Sequence, residues 1–88
     1  VNYPESVLPR VAGTARIAIA NSNVPNMVGQ ISTCLANAGL NIADLLNKSL
    51  GEYAYTLIDT DSAVPEDLIG RIRKIDGVLS ARVVPAVG

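Results

Sequence analysis

The sequence predicts a single α+β domain with the element order β-α-β-β-α-β, and three observations support this prediction. Apolar residues alternate in several short stretches, the first of which is Thr14–Ala20, and such alternation is typical of half-buried strands. Two other stretches carry apolar residues at the spacing of an amphipathic helix. Short segments with glycine or proline separate these stretches, so each element connects directly to the next.

The first helix follows a polar loop that contains three asparagines. Pro25 is expected in its first turn, where the missing N–H of proline has no consequence. Gly39 is expected to end the helix, because glycine readily adopts a positive φ. The second strand should then run from Asn41 to about Ser49. The predicted apolar face of the helix consists of Val28, Ile31, Leu35 and Ala38.

The second half of the sequence contains a hairpin, a helix and a last strand. Leu50-Gly51-Glu52 is short and contains glycine, which favours a hairpin turn before a strand at Tyr53–Thr60. Pro65-Glu66-Asp67 is typical of a helix start. Gly77 is expected to end that helix, and Val78–Val84 is the last predicted strand.

This element order is that of the ferredoxin-like βαββαβ sandwich. Right-handed crossovers place both helices on one face of an antiparallel sheet with strand order 4-1-3-2. The second strand then lies at an edge, and an unpaired edge or apolar open face usually indicates a partner. Residues 14–88 form this domain, whereas Val1–Gly13, which Pro4 and Pro9 interrupt, is predicted as an extended linker.

Composition excludes several classes of function. A chain of 88 residues is one domain at most, and no apolar run is long enough to span a membrane. The net charge of −1 gives no electrostatic reason to bind nucleic acid or an anionic membrane. One cysteine and no histidine argue against a disulfide framework, a zinc site and an activated nucleophile, so no catalytic or metal-binding residue is predicted. Without a signal peptide, a cytoplasmic location is expected.

Two motifs have plainer explanations than the functions they suggest. Tyr53-Ala54-Tyr55 resembles the aromatic motif of RNA-binding RRM domains, but no basic residue precedes it and the first strand lacks an aromatic residue. Packing of two tyrosines is therefore the favoured interpretation. Asp59 and Asp61 end a predicted strand, and we expect solvated turn acids there rather than a catalytic pair.

The strongest signal is N-x-P before the first helix and G-L-N-I after it, at Asn23–Pro25 and Gly39–Ile42. This pattern resembles that of ACT domains, the modules that sense small molecules in enzymes of amino-acid biosynthesis. Val1–Glu5 is similar to the segment that leaves the nucleotide-binding domain in bacterial D-3-phosphoglycerate dehydrogenases. Tyr55–Asp59 and Ile75–Val78 fit the C-terminal regulatory domain of the same enzymes.

The resemblance implies an allosteric domain that binds an amino acid, with L-serine as the first candidate, between two copies of the fold. Asn21 stands where serine-sensitive members have histidine, and Asn26 stands where ACT domains usually have glycine. Carboxamides suit such a ligand, because they both donate to a carboxylate and accept from an ammonium group. The effector-binding residues carried over by position are Asn21, Val24, Asn23, Asn26 and Gly29 of one chain and Asn41 of the other.

The resemblance also implies what surrounds this domain. The parent enzyme would catalyse the NAD-dependent first step of serine biosynthesis. This fragment alone is expected to have neither a cofactor nor enzymatic activity. A homodimer is expected through the edges of the second strands, around Ala43–Lys48. The alternative is a purely structural dimerisation module without a ligand. In that case Asn23 would only cap the helix, Asn41 would satisfy backbone groups and Gly29 would allow tight packing.

Overall fold

The structure, a computed structural model, describes residues 14–84 and contains the six predicted elements in the predicted order. The predicted linker Val1–Gly13 lies outside the described residues. Of the described helices, none is long and apolar enough to cross a membrane. The elements are β1 (Ala15–Ser22), α1 (Met27–Asn37), β2 (Ile42–Leu50), β3 (Tyr53–Thr60), α2 (Glu66–Arg73) and β4 (Val78–Val84).

The four strands form one antiparallel sheet with the order β2-β3-β1-β4, which confirms the predicted order 4-1-3-2. β1 lies inside the sheet and pairs with β3 along its whole length, so that Ile17 faces Ile58. Its other edge pairs with β4. β2 pairs with β3 alone in the described part of the chain, so one edge of this nine-residue strand is unpaired.

The main core lies between the sheet and the two helices. β1 supplies Ile17 and Ile19, which alternate with residues of the opposite face, and α1 supplies Ile31 and Leu35 one helical turn apart. Full burial of such a side chain contributes roughly 1.5–3 kcal/mol, so these residues hold both layers together. The buried members of this cluster are Ile17, Ile19, Met27, Ile31, Leu35, Leu40, Ile58, Leu68, Ile69, Ile72 and Ala81.

The start of α1 differs from the prediction. Pro25 lies in a turn before the helix, because Asn26 has a φ of 64° and therefore interrupts the helical backbone. The helix begins at Met27, which is buried, whereas Val28 is only half-buried. The end of α1 agrees with the prediction: Gly39 has a φ of 79°, and this conformation suits a residue just after a helix.

β1 is longer than the alternation of apolar residues suggested. It continues through Asn21 to Ser22, so Asn21 belongs to the strand and the expectation that it lies in the loop is wrong. Pairing with β3 continues without interruption to Ser22 opposite Tyr53. On the other side, the register with β4 shifts between Ala20 and Asn21. The strand therefore ends where backbone pairing ends rather than where apolar residues end.

The face of the sheet opposite the helices carries a second cluster and an ion pair. Ala18 and Leu57 are fully buried, and Val84 completes their cluster. Beside them, Arg16 donates two hydrogen bonds to Asp59, with Nε–Oδ1 at 2.7 Å and Nη2–Oδ2 at 2.9 Å. Asp59 is 1% exposed, so the expectation of a solvated turn acid is wrong for this residue.

Candidate effector site

Hydrogen bonds on both sides fix the loop between β1 and α1. The backbone N–H of Ser22 donates to the carbonyl of Gly77 at 2.7 Å, and that of Asn23 donates to the carbonyl of Glu52 at 2.7 Å. The side chain of Asn23 does not cap α1, because its Nδ2 donates to the Gly51 carbonyl at 3.0 Å. Asn23 therefore attaches the loop to the turn between β2 and β3, and it remains exposed to solvent.

Asn26 and Gly29 lie next to each other at the start of α1. Asparagine is one of the few residues other than glycine that adopts the left-handed φ found at Asn26. Its side chain lies over the first turn, and a Cβ at Gly29 would collide with Asn26 Oδ1. Because Asn26 Oδ1 is the end of an exposed side chain that can move aside, this contact alone does not require glycine at position 29.

The neutral carboxamide of Asn26 lies over the first turn of α1. No side chain caps it and no acidic residue lies in its first turn. The first backbone N–H groups of a helix lack intrahelical acceptors and carry partial positive charge. Donors for a small carboxylate are therefore available beside Asn23 and Val24, and Val24 is 44% exposed at the same end of the domain.

Asn21 lies in a different environment from the other asparagines, since it is only 1% exposed. Its Nδ2 donates to the carbonyl of Ser22 at 2.9 Å. Its Oδ1 accepts from the hydroxyl of Thr56 at 3.1 Å. The Thr56 hydroxyl in turn accepts from Asn47 Nδ2 at 2.9 Å. Both polar atoms of the Asn21 side chain are therefore already bonded within the protein.

Asn41 lies at the start of β2 and makes contacts with Asp61. Its Nδ2 donates to Asp61 Oδ2 at 3.3 Å, and its carbonyl accepts from the backbone N–H of Asp61 at 3.2 Å. The bond to a backbone group is thus made by the main chain of Asn41, whereas its side chain bonds to the Asp61 carboxylate. Both side chains are exposed, so the pair presents a carboxamide and a carboxylate to solvent.

A single copy does not bring the predicted site residues together. Asn23 lies beside Gly51, just after the end of β2, whereas Asn41 lies just before its start. Nine residues of strand separate these positions, or about 30 Å. Within one chain, Asn21, Asn23, Val24, Asn26 and Gly29 lie at one end of the domain and Asn41 lies at the other.

Sequence reasoning missed three polar neighbours of these residues: Asn47, Thr56 and Asp61. The register of β1, β2 and β3 pairs Asn47 with Thr56 and Thr56 with Ile19, so this information lies in strand pairing rather than in a local motif. No group of three or more His, Cys, Asp or Glu side chains within residues 14–84 is arranged to hold a metal ion.

Comparison with known proteins gives one relative by sequence. D-3-phosphoglycerate dehydrogenase of Haemophilus influenzae is 30% identical over 84 residues, which cover 96% of this chain. The chain spans about a fifth of that enzyme, since the match covers 20% of its length. No model of a known protein family matches the sequence.

Solved structures with the same fold are more distant in sequence. The ACT domain from GTP pyrophosphokinase of Chlorobium tepidum superposes with a TM-score of 0.68 at 18% identity, covering 81% of this chain and 96% of that domain. The C-terminal domain of the MgtC protein from Mycobacterium tuberculosis also gives a TM-score of 0.68, at 8% identity, covering 89% of this chain and 94% of that one. The chain thus has the fold of an ACT domain, and over nearly its whole length it resembles a segment of D-3-phosphoglycerate dehydrogenase.

Proposed function

We propose that this chain is a regulatory domain that binds a small amino acid, with L-serine as the first candidate, between two copies of itself. In a parent D-3-phosphoglycerate dehydrogenase it would adjust the activity of an NAD-dependent catalytic part. The sequence similarity to that enzyme and the ACT fold support this proposal. The observation that carries it is the position of Asn23 and Asn41 at opposite ends of a strand with an unpaired edge.

Antiparallel pairing of two β2 strands would unite these two ends. In such a pair, the end of one strand lies beside the start of the other. Asn23 is bonded to Gly51 at the end of β2, and Asn41 precedes its start. Asn41 of one copy would therefore lie near Asn23 of the other. A two-fold axis repeats this contact, which gives two equivalent sites for each dimer.

The groups at this junction match the charges of a free amino acid. The uncapped N-terminus of α1 and the carboxamide of Asn23 offer donors to the carboxylate. On the other copy, the side-chain oxygen Oδ1 of Asn41 and the Asp61 carboxylate would accept from the ammonium group. Both ends of the ligand are thus recognised, whereas a molecule with only one of these charges would lose half of the contacts.

A site of this kind links binding to assembly. If the site exists only where two copies meet, the effector must promote dimerisation, and dimerisation must promote binding by the same factor. In the parent enzyme, an effector would then favour one arrangement of the attached domains over another. In this proposal, regulation consists of this coupling between effector binding and the arrangement of the two copies.

Calorimetric titration with L-serine, glycine and other small amino acids tests the proposal. The Asn41→Ala substitution should weaken binding by ~1–3 kcal/mol, or about 5- to 150-fold, because it removes a donor and an acceptor from each site. Asn37→Ala is a matched control, since Asn37 is exposed at the end of α1 and lies outside the proposed site. It should bind as wild type does.

Two results would contradict the proposal. If wild type binds none of the amino acids, the chain is better explained as a dimerisation module without a ligand. If Asn41→Ala binds serine as tightly as wild type, the effector lies elsewhere and the Asn41 side chain serves only its contact with Asp61.

A further inference from the structure

We propose that Asn47, Thr56 and Asn21, which we call the polar row, are positioning residues. They couple the unpaired edge of the sheet to the loop between β1 and α1. This inference rests on the proposed function for its role in binding, but its structural part can be tested without any ligand. It also assigns Asn21 a different task from the one carried over by resemblance, since Asn21 would hold the loop rather than touch the effector.

The polar row crosses three strands. Asn47 Nδ2 on β2 donates to Thr56 Oγ1 on β3 at 2.9 Å, and Thr56 Oγ1 donates to Asn21 Oδ1 on β1 at 3.1 Å. Asn21 Nδ2 then donates to the Ser22 carbonyl at 2.9 Å. All three bonds point in the same direction, from the edge toward the loop, and hydrogen bonds aligned in this way strengthen one another.

The middle of the row does not serve ordinary packing. Thr56 is fully buried opposite Ile19, at the margin of an apolar core. A buried hydroxyl is tolerated only with its hydrogen bonds, whereas valine has nearly the same shape and needs none. The hydroxyl is therefore unnecessary for filling this position. Its contribution is to connect Asn47 with Asn21.

Each end of the row lies at a place with a role in the proposed function. Asn47 is exposed on β2, the strand that a second copy would pair with. At the other end, the Ser22 carbonyl accepts both from Asn21 Nδ2 and from the backbone N–H of Val24 at 2.9 Å. The row thus acts on the carbonyl about which the loop turns. A change in the hydrogen bonding of Asn47 at the edge of β2 can therefore reach the loop through three hydrogen bonds, without the movement of a helix.

Residue-resolved amide exchange of the ligand-free protein, measured by NMR, tests this coupling directly. Thr56→Val removes the hydroxyl and interrupts the row, so the amides of Ser22 and Asn23 should exchange about tenfold faster relative to the core amide of Ile58. Thr56→Ser retains the hydroxyl and should restore slow exchange. Thr60→Val is the matched control, because Thr60 is a fully buried threonine on the same strand whose hydroxyl bonds to Ser62 instead.

A second pair of variants tests the edge. Asn47→Ala removes only the first bond of the row and should raise exchange at Ser22 and Asn23 about threefold. Lys48→Ala, its neighbour in sequence on the opposite face of β2, should leave that exchange unchanged. In titrations with L-serine, Thr56→Val should weaken binding about tenfold and Thr56→Ser should restore it.

The outcomes separate this inference from the proposed function. Unchanged loop exchange in Thr56→Val or in Asn47→Ala overturns the coupling, whether or not serine binds. Faster loop exchange in both variants supports the coupling even if wild type binds no amino acid, a result that would overturn the proposed function alone. Equal acceleration in Thr60→Val would show a general loss of stability and would also overturn the coupling.

Discussion

Replacing Asp59 by asparagine should destabilise the domain more than almost any other single change of charge. Arg16 and Asp59 lie on central strands, and their side chains are 3% and 2% exposed. The two hydrogen bonds of 2.7 and 2.9 Å make the pair bidentate, the strong form of arginine–carboxylate contact. Asp59→Asn keeps the shape but removes the carboxylate charge that lies against the buried guanidinium.

The expected magnitude follows from this burial. Removing one partner of a buried ion pair lowers the free energy of unfolding by ~3–5 kcal/mol, because the remaining charge stays desolvated. The free energy of unfolding of a small domain is roughly 5–15 kcal/mol in total, so Asp59→Asn should remove a large part of its stability. Asp67 and Arg71 give the matched comparison: their side chains are 71% and 59% exposed, and Asp67→Asn should change stability by less than about 1 kcal/mol.

Urea denaturation followed by circular dichroism measures both effects, and a double replacement separates the loss of pairing from the burial of charge. The double variant Arg16→Met/Asp59→Leu replaces both charges with apolar groups and should recover most of the lost stability. The reasoning is refuted if Asp59→Asn loses less than about 1 kcal/mol, or if the double variant is no more stable than Asp59→Asn.

Three further predictions concern assembly, local packing and activity. Leu46→Lys on β2, the strand with an unpaired edge, should convert a dimer to a monomer in sedimentation experiments, and a monomeric wild type at high concentration would contradict the proposed interface. Gly29→Ala should raise the melting temperature slightly, because the exposed Asn26 side chain can turn away from the added Cβ and alanine favours a helix over glycine by up to ~1 kcal/mol; a lower melting temperature would show that Asn26 is held rigidly over the first turn. The isolated chain should neither bind NAD nor oxidise 3-phosphoglycerate, since it lacks the glycine-rich dinucleotide motif, and turnover by the purified chain would refute this.

Local sequence signals predicted the elements but not where α1 begins or where β1 and α2 end; α2 ends at Arg73 rather than near Gly77. Gly39 was correctly placed after α1, because its role depends only on its own φ. Pro25 suggested an earlier start for α1, yet the left-handed φ of Asn26 intervenes, and asparagine gives no unambiguous sign of it. Asn21 looks like a loop residue by composition, and its pairing with Ala54 and with Val78 places it in β1.

The candidate site was harder to predict than the fold, because its polar contacts are not local. Arg16 and Asp59 are 43 residues apart in sequence, and Asn21 and Thr56 are 35 apart. Only the register of β1 with β3 brings these pairs together. The motif around Asn23 and Asn41 was visible in the sequence, but the sequence did not reveal that one copy holds these residues at opposite ends of β2.

The position of β1 inside the sheet has a mechanical consequence. Residues that precede Thr14 enter the domain at the start of β1, which is two strands from the unpaired edge. In a dimer joined through β2, five strand spacings, or about 24 Å, would separate the two β1 strands, and their starts would point to opposite ends of the joined sheet. Because the two entry points lie on either side of the shared edge, a rotation of one copy against the other by about 5° at that edge would move each entry point by roughly 1 Å. A ligand at the junction need cause only a small rotation to displace what each chain carries ahead of β1.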